Sequence, residues 1–366
     1  MPARHILIPI HDFSAGGTEL IAFRLARHWL AAGRRVSILA GAADGPLRPR
    51  APDGAQVHIL TPERPRSATS RLFLGGQMAP AARALAPDAV FIPGNFHFML
   101  ARALRRALPG AAIVAKASNP VWSATAVPTA LARAIVAHGT AGIDRIVAMS
   151  SALEPDVARY TGAGRTCVID DPFLDDGAVI AAREGEPAAA LNLLTVARLE
   201  PQKDPHLAIA TIAALRAQGH DARLTILGGG PMAAALAADI QHRGLSDHIK
   251  LVGYVADPAP FYRAANLLLM TSRFEGVPAV IGEALLAGLP FVATNCSAWL
   301  ARLAKDHPAL GSVVAEREPA ALAAALIARG AMAYPSAIQI ERGIGAHRGA
   351  PAAQAYLDLF NKLMPS

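Results

Sequence analysis

The sequence predicts an α/β protein made of two doubly wound domains, each a parallel sheet with helices on both faces. Short apolar runs alternate along the chain with longer stretches that have one apolar face, which is typical of βαβ units. A chain of 366 residues is long enough for two such domains. Residues 171–187 are rich in charge and turn formers, which indicates a linker. We therefore expect one domain at 1–170 and a second at 188–348.

Composition narrows the class of protein. Hydrophobic residues make up 53% and charged residues 17%, as in a folded globular chain. Cys167 and Cys296 provide neither a disulfide framework nor a metal-ligand spacing, and the first residues lack the apolar core of a signal peptide, so we expect a cytoplasmic protein.

The uncharged stretch 284–301 is interrupted by Gly288 and Pro290, so no membrane span is expected. A net charge of +7 favours an anionic partner, but no motif suggests nucleic acid.

The first predicted strand, His5 to Ile10, leads into a glycine-containing loop that opens a helix. Gly16 and Gly17 lie at the tip of this loop, where glycines let the backbone approach a ligand closely. A plain turn with Thr18 as the helix N-cap is the alternative. No Gly-x-Gly-x-x-Gly follows the strand, so the loop does not match a dinucleotide fingerprint.

The other strands of this domain are predicted at Val36 to Ala40, Val57 to Leu60, Ala89 to Ile92, Ala112 to Ala115 and Arg145 to Met149. The segments Asn95–His97 and Ser118–Pro120 follow two of them and should open at the same sheet edge as Gly17. His97 and Asn119 are therefore candidates for binding an acceptor. A lone His after a strand is more often simply packed or solvated.

Two basic stretches of the first domain alternate with apolar residues. Such stretches can form an ordinary solvated face. The alternative is a surface that contacts anionic lipid. The cations are Arg64, Arg66 and Arg71 in the stretch from Thr61 to Met78, and Arg102, Arg105 and Arg106 on one predicted helix face.

The second domain is predicted to begin with a strand from Leu191 to Val196, followed by a loop that contains Arg198 and Lys203. A guanidinium can grip two phosphate oxygens at once, and a lysine supplies a mobile point charge. Two solvated loop cations are the alternative. The strand from Leu224 to Leu227 leads into a Gly-Gly-Gly-Pro turn, and the strand from Ile249 to Val252 is followed by Gly253, Tyr254 and Val255.

The stretch from Ser272 to Thr294 carries the most specific signal. The apolar run Leu267 to Met270 predicts a buried strand, and Pro278 is expected in the first turn of the next helix. That helix should run to about Ala287, with the next strand at Leu289 to Ala293. Free backbone N–H groups in the segment from Gly276 to Ala279 would then face an anion, with the helix dipole behind them.

Two glutamates flank this anion site. Glu275 lies just before the predicted helix, and Glu283 lies eight residues further on, inside it. A nucleotide sugar has hydroxyls on both sides of its diphosphate, so one carboxylate can hold the sugar and the other the ribose. A spaced pair of glutamates is by itself a weak signal.

The pattern Phe-Glu-Gly-Val-Pro, Glu-Ala and Ala-Gly-Leu-Pro in this stretch resembles the signature of family 4 glycosyltransferases, with Pro278, Gly288 and Pro290 in register. Members of that family are retaining enzymes of the GT-B fold, with two Rossmann-like doubly wound domains facing a central cleft. The resemblance spans most of the chain, but its specific motifs lie in the second domain. It implies a nucleoside diphosphate sugar as donor and a glycan or lipid-linked acceptor.

The resemblance also implies roles for individual residues. Arg198 and Lys203 match the positions that hold the donor diphosphate, and Glu275 would orient the donor sugar, so these three are the expected catalytic residues. The remaining donor contacts implied are Gly16, Gly17, Tyr254, Val255, Gly276, Val277, Pro278 and Glu283. A terminal helix, residues 349–366, would pack back on the first domain. The chain departs from the family at Asn119, where many members carry a His, and after Thr294.

We therefore expect a retaining hexosyltransferase for cell-surface glycan synthesis that uses neither a cofactor nor a metal ion, with UDP sugars favoured over GDP sugars. The adjacent acids of the linker are not the spaced Asp-x-Asp of metal-dependent transferases. A peripheral position on the inner membrane face would suit the basic first domain. The alternatives are a small soluble acceptor, a non-enzymatic GT-B binding module and a nucleotide-sugar epimerase. The presence of Arg198, Lys203, Glu275 and Glu283 favours an enzyme.

Overall fold

The computed structural model describes residues 2–14, 16–67, 69–122, 128–181, 183 and 190–364, except for the side chains of residues 71 and 72. The chain divides into two compact units. The first comprises Met1–Asp176 and Ala346–Ser366, and the second comprises Gly177–Gly345. Within the predicted linker, residues 182 and 184–187 lie outside the described residues.

The first unit contains a seven-stranded parallel sheet in the order β3-β2-β1-β4-β5-β6-β7. Its order reverses at β1, which is the doubly wound topology. The strands are β1 (His5–Ile10), β2 (Arg35–Ala40), β3 (Gln56–Ile59), β4 (Ala89–Ile92), β5 (Ala112–Ala117), β6 (Arg145–Ala148) and β7 (Thr166–Val168). The connecting helices are α1 (Gly17–Ala31), α2 (Ser70–Leu85), α3 (Ala101–Ala107), α4 (Thr129–Gly139) and α5 (Glu154–Thr161).

The second unit contains a six-stranded parallel sheet in the order β10-β9-β8-β11-β12-β13. The strands are β8 (Leu191–Val196), β9 (Ala222–Leu227), β10 (Ile249–Gly253), β11 (Leu267–Met270), β12 (Phe291–Thr294) and β13 (Gly311–Val314). The helices are α6 (Pro205–Ala217), α7 (Ala233–His242), α8 (Ala259–Ala264), α9 (Ala279–Leu286), α10 (Ala298–Asp306), α11 (Pro319–Gly330) and α12 (Ala337–Ile344). Two doubly wound parallel sheets confirm the predicted fold class.

Helix α13 (Gly349–Leu363) ends the described chain and packs against α1 of the first unit. Its fully buried Phe360 and Tyr356 lie edge-on to Trp29, with ring centroids 5.8 and 6.2 Å away. The Trp29 indole donates a hydrogen bond of 3.1 Å to the carbonyl of Ala353. An aromatic cluster of this kind buries much apolar surface, so α13 is part of the first unit's core.

Local departures from the sequence expectations have simple causes. Pro278 is the N-cap of α9 and precedes its first residue Ala279, whereas it was expected inside the first turn. Thr18 lies inside α1, which begins at Gly17 with Gly16 as N-cap and no side-chain cap, so the alternative that made Thr18 the cap is wrong. Asp171, the first residue of the predicted linker, is buried and bonded to the Lys116 ammonium at 2.6 Å.

Candidate active site

The loop between β11 and α9 brings Glu275 to the carboxyl edge of the second sheet. The Glu275 N–H donates a hydrogen bond of 2.8 Å to the carbonyl of Cys296, and the Ser297 hydroxyl donates one to the carbonyl of Gly276. These bonds fix the loop to the segment after β12. Among the described residues, the N–H groups of Gly276 and Val277 donate no hydrogen bond. They lie just before the N-terminus of α9, where the dipole favours an anion.

Lys203 and Glu275 form an ion pair at this edge. The Lys203 Nζ donates to the Glu275 Oε1 at 2.5 Å, and the two side chains are 19% and 9% exposed. Both residues line a small cavity with residues 195–197 and 268–272, under the ends of β8 and β11. Glu275 is 7% exposed as a residue and would be costly to bury without its cation. The sequence-predicted Lys203 and Glu275 are therefore brought together directly.

The neighbouring Cys296 thiol does not add a nucleophile. Burial and the nearby charge of Glu275 raise the pKa of Cys296 to about 12. A thiol with so high a pKa stays protonated at neutral pH and is a poor nucleophile. We assign it a packing role.

Arg198 lies on the loop after β8, close to the glycine turn after β9. Its guanidinium donates to the Glu200 carboxylate at 2.6 Å and the side chain remains 56% exposed. Gly228 lies so close to this loop that an added Cβ would be 1.8 Å from the carbonyl oxygen of Ala197, and its φ is +129°. The glycine turn is thus required for the loop of Arg198 to approach the end of β9.

Tyr254 and Val255 follow β10 at the same edge. The Gly228 N–H donates a hydrogen bond of 2.7 Å to the carbonyl of Gly253, which ties the turn after β9 to the end of β10. Tyr254 is 60% exposed, and Val255 is half-buried. A flat, exposed ring at a sheet edge offers a surface on which a planar base can stack.

Glu283 lies on the outer face of α9 and is exposed. Its Oε2 accepts a hydrogen bond of 2.8 Å from the hydroxyl of Tyr262 on α8. Burial raises the pKa of Tyr262, and the charge of Glu283 raises it further. The phenol therefore stays protonated and orients the carboxylate. Sequence reasoning missed Tyr262, because no motif marks it.

In the first unit, the ends of β1, β4 and β5 are brought together as expected. The Asn95 amide donates to the carbonyls of Asn119 and Pro120 at 3.0 and 3.3 Å, and its Oδ1 accepts from the Ser118 N–H at 2.8 Å. Gly94 approaches the side chains of Thr18 and Ser118 too closely to carry a Cβ. The loops that hold Gly17, Asn95 and Asn119 therefore share one edge of the first sheet.

His97 is buried at this edge. The residue is 1% exposed, and its Nε2 accepts a hydrogen bond of 3.2 Å from the His11 N–H. Burial lowers the pKa of His97 to about 3, with a further contribution from the Arg66 charge. This environment suits a packed neutral histidine better than one that meets an acceptor.

Two arginines of the predicted lipid-facing surface have partners within the first unit. Arg66 binds both carboxylate oxygens of the buried Asp12 at 2.9 Å and lies 4.5 Å from the centroid of the Phe96 ring. Arg105 binds the Asp144 carboxylate at 2.5 Å and the carbonyls of Gly142, Pro109 and Ala111. These contacts correct the expectation for Arg66 and Arg105, which are held by carboxylates of the first unit and are neither simply solvated nor free to meet lipid. Arg102 and Arg106 remain exposed, and the Arg71 side chain lies outside the described residues.

Two features are absent from the residues that the structure describes. No three His, Cys, Asp or Glu side chains among them are placed to hold a metal ion. None of their helices is both long enough and apolar enough to cross a bilayer.

Comparisons with known proteins agree with this architecture. Residues 15–171 match the sequence profile of Glycosyltransferase Family 4, and residues 190–329 match that of Glycosyl transferases group 1. Both profiles describe glycosyltransferases, and together they cover most of the chain. More particularly, the chain belongs to the family 4 glycosyltransferases of the GT-B fold, as its sequence motifs predicted.

Individual relatives cover the chain to different extents. The amylovoran biosynthesis glycosyltransferase AmsK of Erwinia amylovora is 32% identical over 145 residues, which are 37% of this chain and 35% of AmsK. This chain thus spans about a third of that relative. D-inositol 3-phosphate glycosyltransferase 2 of Catenulispora acidiphila is 26% identical over 89% of this chain and 86% of its own. The structure of Anabaena HepE in complex with UDP and glucose has a TM-score of 0.70 at 19% identity, covering 98% of this chain and 95% of HepE.

Proposed function

We propose that this glycosyltransferase of the glycan biosynthesis type takes its sugar from a nucleoside diphosphate sugar, with a UDP sugar favoured over a GDP sugar. The observation that carries the proposal is the Lys203–Glu275 pair beside the unbonded amides of Gly276 and Val277. One cation, two N–H donors and a helix N-terminus suit a diphosphate, and the carboxylate suits a sugar hydroxyl. HepE, a structural neighbour, was crystallised with UDP and glucose.

The proposed donor contacts follow from these positions. Lys203 and the amides after Glu275 bind the diphosphate, and Arg198 exchanges Glu200 for a phosphate oxygen when the donor enters. Glu283, oriented by Tyr262, binds the ribose, and Tyr254 with Val255 lies against the base. Gly16 and Gly17 at the start of α1 remain proposed contacts from the first unit.

We further propose that transfer retains the anomeric configuration. As the bond between the sugar C1 and the phosphate oxygen breaks, negative charge develops on the leaving diphosphate, and Lys203 and Arg198 stabilise it. The acceptor hydroxyl attacks C1 from the same face and gives its proton to the departing phosphate oxygen. Each well-aimed charge contact contributes about 2.7 to 4 kcal/mol in such transition states. These cations supply the charge compensation that a metal ion provides in other transferases.

The acceptor is proposed to be a lipid-linked or polysaccharide glycan, met by a cytoplasmic enzyme at the membrane surface. The name of the relative AmsK supports glycan synthesis. In the first unit, Asn119 lies at the shared loop edge and is the proposed acceptor contact. Phe73, Leu131 and Ile135 are exposed on α2 and α4, and Arg102 with Arg106 is exposed on α3. Exposed apolar and basic groups on one unit suit contact with anionic lipid.

A ligand screen followed by product analysis tests this function. Thermal shift with UDP, GDP, ADP and their sugars, in buffer containing EDTA, should show the largest stabilisation with one uridine ligand. With that donor, ¹H NMR of the first sugar released or transferred should show the α-anomer from an α-linked donor. Release of the β-anomer would contradict retention, and no shift with any nucleotide would contradict the donor assignment.

A further inference from the structure

Lys203 is followed by a residue with an unusual backbone. Asp204 has a φ of +47°, in the left-handed region that residues other than glycine rarely adopt, and it is the N-cap of α6. Its carboxylate makes no cap bond to the helix. The side chain instead points to arginines from two other loops, so the conformation of Asp204 serves a contact outside its own helix.

Arg317, which lies between β13 and α11, is the better buried of these arginines. Its Nη2 donates to the Asp204 Oδ2 at 2.6 Å and to the carbonyl of Thr271 at 2.9 Å, and its Nη1 donates to the carbonyl of Ser272 at 2.8 Å. Arg273 also approaches the Asp204 Oδ2, at 2.9 Å, but its side chain is 58% exposed against 31% for Arg317. One guanidinium thus joins the loop of Lys203 to the end of β11.

Further hydrogen bonds also join the Lys203 loop to the segment after β11. The Thr271 hydroxyl donates to the carbonyls of Lys203 and Asp204, both at 3.0 Å. The Gln202 amide donates to the carbonyl of Phe274 at 3.0 Å, and the Arg273 N–H donates to the carbonyl of Gln202 at 2.7 Å. The loop that ends in Lys203 is therefore bonded along its length to the loop that ends in Glu275. Arg317 and the more exposed Arg273 both hold the Asp204 carboxylate, and Arg317 also bonds the carbonyls of Thr271 and Ser272.

We propose that Arg317 is a positioning residue that acts through Asp204 to hold the Lys203 ammonium against Glu275 and in the path of the donor diphosphate. The part that concerns the diphosphate rests on the function proposed above. The part that concerns the position of Lys203 does not. A guanidinium is suited to this task because its planar fork can serve one carboxylate and two carbonyls simultaneously.

The position of Lys203 can be read without any substrate. The chain contains five lysines, at positions 116, 203, 250, 305 and 362, so protein labelled with ¹³C at the lysine Cε gives few signals, and Lys203→Arg assigns the one of interest. In Arg317→Gln we expect the Lys203 signal to move toward that of a solvated lysine. Arg317→Lys should restore part of the difference, because one ammonium cannot reach all three acceptors.

Asp204→Gly tests the carboxylate of Asp204 separately from its backbone conformation. Glycine adopts a positive φ freely, so this variant removes the carboxylate without strain. If Arg317 acts through Asp204, the Lys203 signal should move as it does in Arg317→Gln. The matched control is Arg243→Gln, which removes an arginine from an ion pair of 2.7 Å with Asp239 on the surface of the same unit. It should leave the signal unchanged.

Activity provides the second readout. With a donor identified, Arg317→Gln and Asp204→Gly should each lower kcat by about tenfold and change the donor KM by less than about threefold. An unchanged Lys203 signal in both variants would overturn the positioning role, whatever the activity. If wild-type protein binds no nucleotide and transfers no sugar, the proposed function fails, while the lysine signals still decide the role of Arg317. Should Arg317→Gln fail to fold, Asp204→Gly carries the same test.

Discussion

At the scale of single residues, the site depends on a carboxylate that has two tasks. Glu275 neutralises Lys203 in the structure, and it is proposed to orient the donor sugar once the diphosphate takes over the lysine. In this exchange the diphosphate replaces the carboxylate as the partner of Lys203, and Glu275 accepts hydrogen bonds from sugar hydroxyls in place of the ammonium. A substitution at either position therefore affects the resting protein as well as the reaction.

The two glutamates should differ in their kinetic effects. Glu275→Gln is expected to lower kcat by about a hundredfold, since its contact strengthens at the reacting sugar, whereas Glu283→Gln is expected mainly to raise the donor KM. Steady-state kinetics with the identified donor measures both values. Tyr262→Phe is the control for Glu283, because it removes only the hydroxyl that orients the carboxylate. A kcat effect confined to Glu283→Gln would reverse the two roles.

His97 should make the first unit sensitive to acid. Its pKa is lowered by burial to about 3 when folded, against 6.5 when unfolded, so the unfolded chain binds the extra proton first as the pH falls. The stability from the neutral imidazole is complete above pH 6.5 and is lost from there down toward pH 3.

His97 alone is expected to lower the free energy of unfolding by about 1.4 kcal/mol per pH unit over this range. Other titrating groups add their own contributions. Hydrogen exchange of first-unit amides in urea, between pH 7 and pH 4.5, measures the loss. His97→Gln keeps an acceptor for the His11 N–H but does not titrate, so the dependence should flatten. An equal slope in both proteins would show that His97 does not titrate on unfolding.

Only some of the site residues and their contacts could be predicted from the sequence. Glu275 and Gly276 could be placed in the loop before α9 because one continuous stretch encodes the strand, loop and helix around them. The Lys203–Glu275 pair joins residues 72 positions apart, which no local pattern reveals. Arg66 and Arg105 were misjudged for the same reason, since their partners Asp12 and Asp144 come from distant segments.

At the scale of elements, most strands were predictable because buried parallel strands are short apolar runs. Strands β7 and β13 were not predicted. The first begins with Thr166 and has only three residues, and the second begins with Gly311 and Ser312, so neither presents an apolar run. Each is an edge strand of its sheet and pairs with a single neighbouring strand.

Helix α13 should be essential to the first unit. Phe360 is fully buried against Trp29, so Phe360→Ala is expected to lower the stability of that unit by about 3 to 5 kcal/mol. Urea denaturation followed by hydrogen exchange of each unit's peptides separates the two contributions. Lys362→Ala, at an exposed position of the same helix, is the matched control. A loss confined to second-unit peptides would contradict the packing described.

At the scale of the whole molecule, the proposed membrane contact rests on exposed groups of the first unit. Arg102→Gln with Arg106→Gln should abolish co-sedimentation with anionic vesicles at low salt, and high salt should do the same to the wild type. Each cation is expected to contribute about 1 kcal/mol near the surface. Arg105 is left unchanged because it holds Asp144. Arg216→Gln together with Arg243→Gln, in the second unit, is the control of equal charge, and binding that ignores salt would contradict the proposal.

The central claim is that the edge of the second sheet holds a nucleoside diphosphate through Arg198, Lys203 and the amides before α9. Calorimetric titration of UDP in buffer with EDTA tests it most directly, using wild type, Arg198→Gln, Lys203→Gln and the control Arg243→Gln. Lys203→Gln also leaves Glu275 without its cation, so the exposed Arg198 gives the cleaner comparison. We expect UDP to bind wild type and control equally, and the two site variants at least about tenfold more weakly. Equal binding by all four proteins, or by none, would contradict the claim.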